Sequence, residues 1–160
     1  MAVVLKGVAR MQDRINMQMA RMGVVTMAGL IEASIIIRRS TEDSSPITPL
    51  DTGNLRASWF TVTPRGPSSG KSPSFEGENA GDMKKNHSAA LSEYGTTVKT
   101  RRVPTVGLGF SANYAGFVHE MVDAQNWSRP GSGAWYLASS IQSTKPAVLA
   151  AIYKHAKFKK

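Results

Sequence analysis

Apolar residues recur at three- and four-residue intervals from Leu5 through Val8, Met11, Ile15, Met19 and Met22 to Val25, while Arg10, Arg14, Gln18 and Arg21 fall on another face. That period predicts one long amphipathic helix over residues 3–38. Five methionines lie between Met11 and Met27. Such adaptable side chains suit a core-facing stripe, a surface packed on a neighbouring subunit, or both, because a helix this long outruns the cover one small domain can give. Gly23 and Gly29 weaken its interior. Arg38-Arg39 suits its C-terminal dipole.

After a polar loop over 40–50 the pattern shortens. Pro49 biases Thr48 away from helical angles, and Asp51 or Thr52 can cap a short helix near 52–58. Gly53 permits an unusual dihedral or a close approach. Leu55 and Trp59 lie four apart on one helical face. Residues 59–63 (Trp-Phe-Thr-Val-Thr) read as a strand. Residues 64–88, rich in Pro, Gly and Ser, read as a long flexible loop or insertion. Residues 89–99 allow a helical turn at Ala89-Ala90-Leu91. Alternation over 103–110 predicts a second strand, and Tyr114 to Val122 a short helix. A loop over 124–133 leads to a helix over 134–141. Pro146 then opens a new helix or kinks the old one, and residues 147–156 form the last helix. The sum is an α+β fold in one domain, 1–160: a long N-terminal helix, a small antiparallel sheet with short helices, and a C-terminal helix ending in a basic tail at 154–160.

Three blocks stand out in order: Pro49-Leu50-Asp51-Thr52-Gly53-Asn54-Leu55-Arg56-Ala57-Ser58, then Tyr114-Ala115 with Val118 and Glu120, then Trp135-Tyr136-Leu137. Together they resemble the neck, or tail-completion, proteins of tailed bacteriophages. In that family a Pro-x-Asp-Thr-Gly-x-Leu-Arg-x-Ser block precedes a strand pair, a Tyr-Ala-x-x-Val-Glu-x-Gly segment and a Pro-Phe-Leu-like helix start. The chain departs from it where Met121-Val122-Asp123 replaces the expected Gly and Trp135 replaces the expected Pro. The resemblance implies a structural virion protein, assembled in the host cytoplasm. Its copies would form a six- or twelve-fold ring at the head–tail junction, against other connector and tail proteins and around DNA in the channel. Structural or interface candidates are Asp51, Gly53, Leu55, Arg56, Trp59, Tyr114, Phe117, Glu120, Trp135 and Tyr136, with Trp127 a further aromatic anchor and an Arg56–Glu120 ion pair a specific hypothesis.

Charge sharpens the choice of partner. The net charge is +9, with six basic and two acidic residues over 1–40 and eight basic and two acidic over 101–160. A basic surface at Arg101, Arg102, Lys154, Lys157, Lys159 and Lys160 favours anionic partners or stays solvated. The alternative function is therefore a small basic protein that binds DNA without sequence preference. Cysteine is absent, which excludes disulfide and thiolate chemistry. His87, His119 and His155 are scattered, and His119-Glu120 lacks the second histidine of a metalloprotease helix. Asp51 is explained by capping, and the paired carboxylates Glu42-Asp43 stand in a loop without an apolar setting. No catalytic, metal or cofactor residue is expected, and an enzyme is not. No apolar run reaches membrane length, and no signal-peptide order is present.

Overall fold

The computed structural model describes residues 8–123 and 126–156. Helix α1 (Val8–Asp43) spans 36 residues, or about 54 Å at 1.5 Å per residue. The first residues of the expected helix, 3–7, lie outside the described residues, as do Lys157, Lys159 and Lys160 of the basic tail. At its other end α1 outruns the expectation by a full turn, so Arg38-Arg39 is not its terminus. Ser40 and Thr41 are buried, and Thr41 Oγ1 donates to the Arg38 carbonyl at 2.7 Å. The chain then doubles back, with the Thr48 N–H (2.7 Å) and hydroxyl (2.9 Å) both donating to the Thr41 carbonyl.

Helix α2 (Asn54–Ala57) leads directly into β1 (Trp59–Thr63), the central strand of an antiparallel sheet ordered β2-β1-β3. On β3 (Gly107–Phe110), Phe110 lies opposite Trp59 and Gly107 opposite Val62. On the other side β1 pairs with β2 (Gly66–Ser69), with a register shift at Thr61/Val62. All five residues of β1 are buried. Side chains alternate across a strand, so both faces must be covered. Phe60 and Val62 pack with Val98 of α3 (Ala80–Thr100). Trp59 meets Arg38 of α1 on the opposite face, and Thr63 adjoins Met27 and Ile31. Helix, sheet and helix therefore stack in layers.

Strand β2 and the first turns of α3 occupy much of the segment read as a long loop, which shrinks to residues 70–79. Hydrogen bonds at both ends tie that remainder down. The Asn54 amide donates to the Glu76 carbonyl and accepts from the Glu76 N–H, both at 2.8 Å. The buried His87 ring donates through Nε2 to the Gly70 carbonyl, and its Nδ1 meets the Ser111 hydroxyl at 2.6 Å. His87 is thus a satisfied core histidine flanked by Phe60 and Phe75.

Helix α4 (Ala115–Glu120) and helix α5 (Tyr136–Ala156) complete the chain. Helix α5 is continuous through Pro146 rather than two helices. Its packing along α1 offsets the hydrogen bond that proline cannot make. The seam is narrow because Gly29 has no side chain: a Cβ there would lie 2.9 Å from the Ile152 Cα. Ala33 and Ala151 are buried along the same pair of helices. At the seam's edge Glu32 accepts from Lys154 Nζ at 3.1 Å and meets His155 Nε2 at 2.5 Å. His155 first, then Lys154, holds the Glu32 carboxyl below its ordinary value. A second core forms around Leu55, Met83, Ala112, Ala115 and Tyr136, where α2, α3, α4 and α5 converge.

Candidate functional site

Two carboxylates nine residues apart define the region of interest. Glu42, in the last turn of α1, gathers three guanidiniums. Arg38 Nη1 donates to Oε1 at 2.6 Å, Arg129 Nη1 donates to Oε2 at 3.3 Å, and Arg56 Nε lies against Oε2 in ion-pair contact. The Arg56 contact is electrostatic rather than an aligned hydrogen bond, since its buried N–H finds no acceptor in good geometry. Arg129 also donates to the Glu42 carbonyl at 3.1 Å, and Arg38 to the Arg56 carbonyl at 3.1 Å. The hub therefore ties α1, α2 and the 129–133 loop together. That loop docks further through an Ile47–Ser132 bridge, with the Ile47 N–H donating to the Gly131 carbonyl at 2.9 Å.

Arg38 also stands over Trp59 and Phe110, its guanidinium carbon 5.4 and 5.7 Å from the two ring centroids. Trp59 and Phe110 meet edge to face at 5.2 Å. Burial lowers the Arg38 pKa and Glu42 opposes that shift. The cation–π geometry replaces part of the lost hydration. Two sequence expectations fall here. Glu42 stands on a helix in a half-buried cationic setting, not in an open loop. Arg56 pairs with Glu42, not with Glu120, which lies exposed at the end of α4. The signal that could have exposed the hub is the four-residue spacing of Arg38 and Glu42. Arg56 and Arg129 reach it only through tertiary structure.

Beside the hub a groove of about 410 Å³ opens between Leu50, Asp51, Leu55, Tyr114, Val118 and Trp127. The first and second sequence blocks, some sixty residues apart, share its wall. Asp51 does not cap α2. Gly53 takes the capping position with a left-handed φ of 86°, and its carbonyl accepts the Ala57 N–H at 2.9 Å. Asp51 is left exposed at the groove, and no cation among the described residues lies within ion-pair distance of it. Burial raises the pKa of the Tyr114 phenol, and the Asp51 carboxylate adds to the effect.

The remaining candidates separate into interior and surface. Leu55, Trp59 and Tyr136 are core, with the Tyr136 hydroxyl donating to the Ala115 carbonyl at 3.2 Å. Burial pushes the Tyr136 phenol far up. Phe117 (68 % exposed) and Trp135 (47 %) project outward. Trp135 holds a φ of 59°, unusual for a bulky residue. Its N–H donates to the His119 carbonyl at 2.7 Å, and the His119 Nε2 accepts the Ala138 N–H at 3.3 Å. His119 therefore caps α5 from α4, satisfying one of the free donors of the first turn. Burial lowers its pKa and Glu120 opposes that. Lys154 is committed to Glu32, whereas Arg101 and Arg102 are exposed and make no ion pair among the described residues.

No family model, curated protein or solved structure matches this chain.

Proposed function

We propose that the chain is a structural subunit of a tailed-phage head–tail junction, acting by binding rather than turnover. Copies form a closed ring, six- or twelve-fold, that joins the tail to the DNA-filled head, and the protein resides in the virion after assembly in the host cytoplasm. Cyclic symmetry fits a subunit that must surround a channel. The observation that carries this reading is the shared groove: the two blocks that resemble the neck family come together at one site. A second feature fits an assembling subunit. Met22 and Val24 are exposed on α1, beside a second groove of about 420 Å³ bounded by Met27, Ile31 and the β1–β2 turn.

Exposed Arg101 and Arg102 favour one other reading, non-specific binding of duplex DNA. Electron microscopy of particles assembled without this chain tests the proposal. Full heads and finished tails lying unjoined is the expected result. Normal infectious particles overturn it, and salt-sensitive retention of duplex DNA by the isolated chain then favours the second reading.

A further inference from the structure

The sheet register separates an acidic groove from a basic segment. Strand β1 begins at Trp59, close behind Gly53 and Leu55, and β3 ends at Phe110 opposite Trp59 before running on to Tyr114. The Asp51 groove therefore lies at the Trp59 end of the sheet. Strand β3 begins at Gly107 opposite Val62, and Gly107 sits beside Val98 near the end of α3. Arg101-Arg102-Val103-Pro104, which joins α3 to β3, therefore projects at the opposite end. All four residues are exposed, Val103 by 66 %. Among the described residues of its own chain, neither arginine reaches an acid and Asp51 reaches no cation.

We infer that the Asp51 groove receives the Arg101–Pro104 segment of a second copy of this chain. The groove's chemistry matches this occupant. A carboxylate at the groove takes a guanidinium, the Tyr114 and Trp127 aromatic side chains line the same groove, and Leu50 and Val118 take the apolar part of the segment. A contact between opposite ends of identical subunits is heterologous, so it propagates head to tail and closes into a ring when the rotation allows. The inference rests on the ring reading and supplies the contact that makes the ring.

The absence of native cysteine makes the test direct. The full chain carrying Thr52→Cys and Thr100→Cys, exposed neighbours of Asp51 and Arg101 that leave the proposed charges in place, is treated with a short bismaleimide, both as purified protein and in assembled particles. The expected result is a covalent ladder that ends at the ring number. Each single-cysteine chain alone stays monomeric, and a mixture of the two gives dimers only. Cross-linking by Thr52→Cys alone means a self-complementary contact and overturns the inference. Rings seen by microscopy without a ladder overturn this contact and leave the ring reading standing, whereas no ladder and no rings overturns both. Charge reversal gives an independent readout. Asp51→Arg, or Arg101→Asp with Arg102→Asp, weakens association at least about tenfold, and combining them restores it. If the arginine reversal abolishes retention of duplex DNA and leaves association unchanged, the segment belongs to nucleic acid and the inference fails.

Discussion

Glu42 and Asp51 are both acids flanking the same turn, yet among the described residues one is enclosed by three arginines and the other by none. The difference separates side chains that hold the fold from side chains left over for a partner. Glu42 is only 14 % exposed, and its removal leaves three guanidiniums facing one another across a partly dry site. Asp51 stands in water, where an unpaired carboxylate costs nothing to keep and is free to recruit a cation. A charged residue whose internal needs are met is structural, and one presented at a groove with unmet bonding capacity is a candidate contact.

That comparison breaks most visibly at Glu42. Glu42→Ala is expected to destabilise the chain by about 3 kcal/mol, since it strands half-buried charges. Chemical denaturation reads this directly, and a loss within experimental error would remove the hub from the fold's supports. Gly29→Leu should rank next, at about 2 kcal/mol, because the new side chain meets the Ile152 backbone and cannot relax by rotamer change alone. A thermal melt shows it. Arg56→Ala is expected to cost about 1 kcal/mol, while Glu120→Ala stays near zero; equal effects from the two would revive the abandoned Arg56–Glu120 pair.

A pH titration sharpens the contrast at the α4–α5 junction. Burial depresses the His119 pKa below its ordinary 6.5, so the unfolded chain binds that proton more readily than the folded one. The cap's contribution is therefore complete above pH 6.5 and is lost as pH falls through the lower folded value. His119→Gln should flatten that part of the stability profile, with about 1 kcal/mol at stake, the usual worth of a helix cap. The smallest expected effect is Asp51→Asn, which should leave stability within about 0.5 kcal/mol of the parent chain, as surface changes do, while weakening ring association.

Local pattern made several elements legible. The aromatic and β-branched run at 59–63 is a strand, the apolar spacing from Tyr114 marks α4, and the Pro49-to-Ser58 block contains α2. The same local rules failed where a neighbour changed the outcome. Pro, Gly and Ser at 64–88 read as loop, but pairing with β1 makes 66–69 a strand, and the Met83 and His87 contacts hold the start of α3. Pro146 reads as a break, but α1 supplies a surface along which α5 stays continuous.

By itself the sequence determined the kinds of element and the chemical vocabulary: a long amphipathic helix, a small aromatic-rich sheet, no cysteine and an excess of base. These depend on residue types at short separations, which propensity and periodicity express. Only the tertiary structure decided which acid is enclosed and which is offered, because Arg38, Arg56 and Arg129 converge on Glu42 from three separate segments. Likewise, only the strand register sets Asp51 and Arg101-Arg102 at opposite ends of the sheet. Ion pairing and burial depend on distances in space, and those distances are fixed by the packing of whole elements rather than by any one of them.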